Sequence, residues 1–312
     1  MRDKVVIIGA GLMGSGIASV SALSGNMTVL VEKNSELSAK GIRNAMNNIE
    51  ELHDNDLADD RAAERAKGLL SASEDIAKAC DEAFIVIEAI VENLEAKQEI
   101  FALLDSMLPA EVPIVSNTSG LRITDIALKT TKPERTMTTH FWFPAHLVPL
   151  VEVVMSESTD PELAQKVKDM LADWGKKPVL VKRDLPGQLA NRILQAVIRE
   201  ATNIVEMGLA SPEDVDTAVK AGMGIRFPVW GPLEHIDAVG LDLGLSVQKT
   251  VLPCLDNEDK PVESLKKLVD DGNLGYKTGK GYYDWSKKDM EALAKLRNDF
   301  IIHALKMIKT QN

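Results

Sequence analysis

KVVIIGAGLMGSGIASVSALSGNMTVLVE, residues 4–32, is the stretch that decides the fold. Val5-Val6-Ile7-Ile8 is an unbroken apolar run, suited to a strand buried on both faces of a parallel sheet. Gly9, Gly11 and Gly14 follow at G-x-G-x-x-G spacing, and Met13 to Ser24 reads as a helix. Gly25-Asn26 ends that helix, Thr28 to Val31 is a second strand, and Glu32 closes it 18 residues beyond Gly14.

Each residue type has a physical use at its place. Gly9 allows a tight strand-to-helix turn, Gly11 leaves room for a pyrophosphate against the backbone, and Gly14 lets helix and strand pack closely. The free amides around Leu12 and Met13, with the positive end of the helix dipole, then face the phosphates. Glu32 can accept hydrogen bonds from an adenosine ribose. A glycine-rich turn alone would be an ordinary loop. Strand, turn, helix, second strand and terminal acid together predict a dinucleotide site. Glu32 would repel a 2′-phosphate, so the expected cofactor is NAD, although Lys33 could pair with such a phosphate.

The 312 residues suggest two domains with a sizeable core. A net charge of −11 argues against nucleic acid and against a polybasic membrane-binding surface. Cys80 and Cys254 have no C-x-x-C companion and read as reduced thiols, so a cytoplasmic protein is expected. No 18-residue apolar run and no leader ahead of the first strand are visible, and no metal-ligand spacing occurs.

Downstream, residues 35–52 have helical spacing, and an acidic run follows: Glu50, Glu51, Asp54, Asp56, Asp59 and Asp60. Strands are expected at 83–88, 113–115, 135–142, 149–155 and 178–182, with helices at 92–107 and 161–174. Ser116-Asn117-Thr118-Ser119-Gly120 lies just past a strand end, where ligands bind in such sheets; it also suits a helix cap near Arg122. Strand patterning stops at Asp184-Leu185-Pro186-Gly187. Helices are expected at 188–207, 212–221, 232–241, 261–271 and 287–309. The fold class is therefore an α/β Rossmann-like domain with a mostly parallel sheet, residues 1–184, followed by an all-α domain, residues 185–312.

GAGLMGSGIA at 9–18, EAIVENLEAKQEIF at 88–101, SNTSGLRIT at 116–124, HFWFPAHLVPLVEV at 140–153, LPGQLANRIL at 185–194, GPLEHIDAVGLD at 231–242 and GYKTGKGYYDW at 275–285 carry a further signal. With these motifs the chain resembles the L-3-hydroxyacyl-CoA dehydrogenase family over nearly its whole length. The resemblance implies an NAD-dependent dehydrogenase, a dimer formed by the helical domain, and a small-molecule substrate. It implies His140 as general base and Glu152 as the carboxylate that orients it. Ser119 and Asn191 match positions that hold the reacting oxygen; otherwise they would read as a cap and a surface amide. Glu92, Lys97, Asn117 and Lys277 match cofactor positions. On pattern alone Glu92 and Lys97 would be an exposed helix pair. His146, in the loop after His140, is the reserve base.

Three features depart from the acyl-CoA members. Phe143 stands where they carry Asn, the 50–60 run is acidic where the CoA phosphates would lie, and Arg226 appears in a longer segment before GPLEHID. The wording is similar to relatives acting on free hydroxy acids, L-gulonate dehydrogenase (lambda-crystallin) and carnitine dehydrogenase. Phe143 and Arg226 thus join the candidate substrate residues. Three readings follow: a free 3-hydroxy acid dehydrogenase, a short-chain 3-hydroxyacyl-CoA dehydrogenase, and a crystallin-like structural protein without activity.

Overall fold

In the computed structural model, which describes residues 3–309, the strand β1 (Lys4–Ile8) sends Val5 and Ile7 to one face of a sheet and Val6 and Ile8 to the other. It is followed by α1 (Leu12–Leu23), β2 (Met27–Val31), α2 (Ser35–Asp54), α3 (Asp60–Lys67), β3 (Leu70–Ser73) and α4 (Ile76–Cys80). Then come β4 (Ile85–Glu88), α5 (Leu94–Met107), β5 (Ile114–Ser116), α6 (Ile123–Ile126), β6 (Thr136–Phe141), β7 (Leu150–Val154), α7 (Pro161–Asp173) and β8 (Lys177–Val181). The strand order is β3-β2-β1-β4-β5-β6-β7-β8. Every neighbouring pair is parallel except β6 with β7.

One face packs Ile17 of α1, Ala45 of α2 and Leu171 of α7. The other packs Phe101 and Leu104 of α5 with Ile123 and Ile126 of α6. Burial on both sides explains why β1 and β4 read as continuous apolar runs. The order reverses direction between β1 and β4, so their carboxyl ends define the crevice where such sheets bind ligands. Gly9 is fixed there by its φ of 106°, and a Cβ on it would lie 2.5 Å from the Ala89 carbonyl oxygen. A Cβ on Gly14 would lie 1.9 Å from the Gly9 oxygen, so only glycine lets α1 rest on β1.

The remaining helices are α8 (Ala190–Glu206), α9 (Pro212–Ala218), α10 (Pro232–Val239), α11 (Leu241–Val251), α12 (Glu263–Asp270) and α13 (Met290–Lys309), with a π-helical turn at Val219–Gly224. Two compact units result: residues up to Ala190 together with those from Asn298 onward, and Asn191–Arg297. The division therefore differs from the expected 184/185 boundary. The end of α13 joins the first unit because Ile302 is buried with Leu52 and Leu147, and Lys306 pairs with Asp56 at 3.2 Å.

Other expectations are corrected. Strand β3 and helices α3 and α4 were not anticipated, because LSAS is a half-exposed edge strand with no apolar run. The helix expected over 232–241 stops at Gly240, whose φ of 104° breaks it before α11. The helix expected from Glu92 begins at Leu94, capped by the Asn93 side chain, so Glu92 precedes it.

Candidate active site

His140 near the end of β6 and Glu152 in β7 are direct partners in the antiparallel ladder. Their side chains share a face, and His140 Nδ1 lies 2.8 Å from Glu152 Oε2. An ionised carboxylate only accepts, so Nδ1 carries the proton of this bond, and Nε2 is the ring nitrogen that Glu152 leaves unengaged. The histidine is 5% exposed and Glu152 is wholly buried. Trp142 Nε1 donates to Oε2 at 3.0 Å, and the Leu189 and Ala190 amides both donate to Oε1 at 2.9 Å. Burial alone would raise the Glu152 carboxyl. Its hydrogen bonds, led by that from His140, outweigh this and hold it at about 2.

A second network lies at the ends of β4 and β5. Glu88, buried, accepts from the Ile90 amide and Lys97 Nζ, both at 2.7 Å, and from Ser116 Oγ at 2.5 Å. Lys97 Nζ also lies 3.3 Å from Glu92 Oε2. Lys97 is 1% exposed, so it is no surface partner of Glu92, as pattern alone suggested; it is a buried cation clasped by two carboxylates. Glu92 Oε1 accepts from Thr118 Oγ1 at 2.6 Å and from the Ser119 and Gly120 amides at 3.0 Å. Burial opposes the ionisation of Glu92, but the Thr118 hydroxyl, the Lys97 charge and the Gly120 amide prevail and lower its pKa. Asn117 Oδ1 accepts from the Phe141 amide at 2.9 Å, tying this loop to β6. The 116–120 cluster does not cap α6 directly: the cap residue is Arg122, without a side-chain cap, while Thr118 Oγ1 accepts from the Leu121 amide.

The phosphate cradle fits a dinucleotide. Gly11 precedes α1 with no side-chain cap, and a Cβ built on it meets nothing within 4 Å. The first-turn amides at Leu12, Met13 and Gly14 have no intrahelical acceptor. Glu32 Oε2 accepts from the Ala10 amide at 3.3 Å, so the acid of β2 is bound to the same turn.

His146 is placed apart from this chemistry. Its Nε2 lies 2.8 Å from Glu51, and burial lowers its pKa despite that carboxylate. A broad depression in the first unit is lined by His53, Asp60, His146 and Lys176, so of the candidate residues the reserve base His146 borders it, while His140 and Glu152 do not. Phe143, half exposed, follows β6, two residues beyond its end at Phe141. Three candidates belong to the second unit: Asn191 in the first turn of α8, Arg226 on an exposed turn, and Lys277 on another. Arg226 Nε donates to the Gly222 carbonyl at 3.2 Å.

Sequence reasoning missed Glu88, Ser116, Thr118, Trp142 and Gln188. For Glu88 a signal existed: it ends the apolar run AFIVIE, where a charged group must find a partner.

A glycine-turn dinucleotide cradle beside a carboxylate-oriented histidine defines a nicotinamide-dependent dehydrogenase on a doubly wound sheet. The family model "3-hydroxyacyl-CoA dehydrogenase, NAD binding domain" matches residues 4–185, and the model of that family's C-terminal domain matches 187–285. The chain belongs to the 3-hydroxyacyl-CoA dehydrogenase family, and is an NAD-dependent oxidoreductase of that type. It is 38% identical to the Homo sapiens mitochondrial hydroxyacyl-coenzyme A dehydrogenase over 292 residues, 90% of each chain. It is 31% identical to the 5-formyl-3-hydroxy-2-methylpyridine 4-carboxylate 5-dehydrogenase of Mesorhizobium japonicum, over 94% of each. A crystal structure of an enzyme of the latter name, described as an NAD+-dependent dismutase, superposes with a TM-score of 0.91 at 29% identity over 99% of both chains. The (S)-3-hydroxybutyryl-CoA dehydrogenase of Ralstonia eutropha gives 0.76 at 32% identity, over 92% of this chain and 100% of that one.

Proposed function

We propose that the protein oxidises the secondary hydroxyl of a free 3-hydroxy acid to the 3-keto acid. NAD, held at the Gly9–Gly14 turn and Glu32, supplies the hydride acceptor. His140 Nε2 takes the hydroxyl proton, and the imidazolium so formed is stabilised by Glu152, which its four donors keep ionised. Within the first unit, Ser119 is assigned to the reacting oxygen, Glu92, Lys97 and Asn117 to the cofactor, and Phe143 to the substrate. The roles that the family resemblance implies for Asn191, Lys277 and Arg226 of the second unit belong to the same proposal.

The observation that carries the free-acid reading is the charge of residues 50–60. They hold six carboxylates and no lysine or arginine, which would repel CoA phosphates. Among the described residues the terminal Nη groups of Arg226 have no hydrogen-bond partner, and they leave a planar fork suited to a carboxylate. The pyridine 4-carboxylate named for the relative with the 0.91 TM-score is itself a free acid. The 38% identity to an acyl-CoA enzyme favours a second reading, a short-chain 3-hydroxyacyl-CoA dehydrogenase. Following NADH with a panel of free 3-hydroxy acids beside 3-hydroxybutyryl-CoA tests both. Turnover of the CoA ester alone replaces the first reading with the second. Arg226→Met should lower kcat/KM for a free acid by roughly 10²-fold or more while leaving NAD binding intact.

We also propose a homodimer through the second unit. Its described helices from α9 to α12 bury no residue, and Leu233, Val229, Leu241 and Leu243 are 80%, 79%, 60% and 54% exposed. Apolar surface of that extent suits a subunit contact.

A further inference from the structure

Gln188 combines three properties that stability alone does not favour. Its φ is 52°, in the left-handed region that an unbranched polar side chain rarely adopts. Its side chain is buried, at 6% exposure. Among the described residues its Oε1 has no hydrogen-bond partner. The amide orientation is fixed, because Nε2 donates to the Thr118 carbonyl at 3.1 Å and an inverted amide would set two oxygens against each other.

What Gln188 joins is more informative than its strain. Thr118 immediately precedes Ser119, and its own hydroxyl is bound to Glu92. Leu189 and Ala190, the next two residues, give both amides to Glu152 Oε1. The Gln188 amide closes the turn on the Leu185 carbonyl at 3.0 Å. One side chain thus bridges the loop of the oxygen-binding serine and the backbone clamp of the histidine's carboxylate.

We infer that Gln188 is a positioning residue: its bond to Thr118 fixes the Ser119 loop relative to the Glu152–His140 pair. The inference rests on the proposed role of that pair, so it is tested by a readout free of substrate as well as by turnover. The variant is Gln188→Leu, which removes the strut and also the unpartnered acceptor. In protein labelled with 15N-histidine, exchange of the His140 Nδ1 proton with water should accelerate roughly ten-fold or more. With whichever of 3-hydroxybutyrate and 3-hydroxybutyryl-CoA the wild type oxidises, kcat should fall between about 10- and 100-fold, the scale of a sub-ångström misplacement. NAD affinity should hold and Tm should change little, since the variant removes one buried orphan but leaves the Thr118 carbonyl without its donor. A second variant, Gln188→Gly, relieves the left-handed backbone without restoring the strut, and should show the same faster exchange and the same loss of kcat. Unchanged proton exchange in both variants overturns the inference, whatever happens to Tm. Faster exchange with no turnover of either substrate by the wild type sustains it and faults the substrate reading instead.

Discussion

Glu152 and His140 face each other across the one antiparallel step among the described strands of the sheet, and four donors converge on that single carboxylate. Its folded pKa of about 2 lies below the ordinary 4.5, so it contributes stability that is present above pH 4.5 and is lost as pH falls through about 2. The difference corresponds to about 3 kcal/mol. Glu152→Gln should therefore unfold more easily at neutral pH by that order, and should lose the part of the acid-induced destabilisation that the wild type shows between these limits. Urea titrations of both proteins across pH 2–5 measure it. Parallel curves, with a constant gap at every pH, would sink the claim.

His140→Gln should lower kcat by roughly 10²–10⁴, the range for a positioned general base, with NAD affinity little changed. His146→Gln should leave kcat within about two-fold, because His146 is engaged by Glu51 and shares no hydrogen bond with the His140–Glu152 pair. Steady-state kinetics of the two variants decide between them. The assignment fails if His146→Gln is the damaging one.

Glu32 is bound through its carboxylate to the Ala10 and Lys33 amides, at 3.3 and 2.8 Å. A 2′-phosphate would meet that fixed anion, so kcat/KM with NAD should exceed that with NADP by about 10²-fold or more. Glu32→Ala should narrow the ratio. Equal efficiency of the two cofactors in the wild type contradicts the reading.

Lys176 is buried, donates to the Ala145 and Val148 carbonyls, and has its pKa lowered by burial from 10.5 to about 7. The unfolded chain binds this proton more tightly than the folded one. The resulting cost is full below pH 7 and disappears as pH rises to 10.5, on the order of 5 kcal/mol at most. Lys176→Met should flatten the rise of stability with pH over that window, as read by chemical denaturation. An unaltered slope would show that Lys176 is not the group responsible.

The legible part of the molecule was the part built from short-range pattern. The β1 turn and Glu32 could be read because glycine spacing and apolar runs are local. The His140–Glu152 pair came from resemblance, and the ladder register then supplied its geometry. Strand β3 was not legible, since LSAS has no apolar alternation and exists by pairing with β2. Burial of Lys97 was hidden as well: nothing near it in sequence announces that Glu88, nine residues earlier, would be its dry partner. The terminal part of α13 joins the first unit through Ile302, a contact between residues some 250 positions apart in the chain.

Three carboxylates beyond Glu32 also lean on main-chain amides: Glu88 on Ile90, Glu92 on Ser119 and Gly120, and Glu152 on Leu189 and Ala190. Replacement by alanine at those donor positions deletes no N–H, so alanine scanning is blind to half of these hydrogen bonds. Proline is the one standard residue that removes the donor itself. The carboxylates are exposed to genetic change while their supports are largely sheltered from it. Drift at residues 189 and 190 can therefore be broad in side-chain chemistry, provided the path of the backbone is kept.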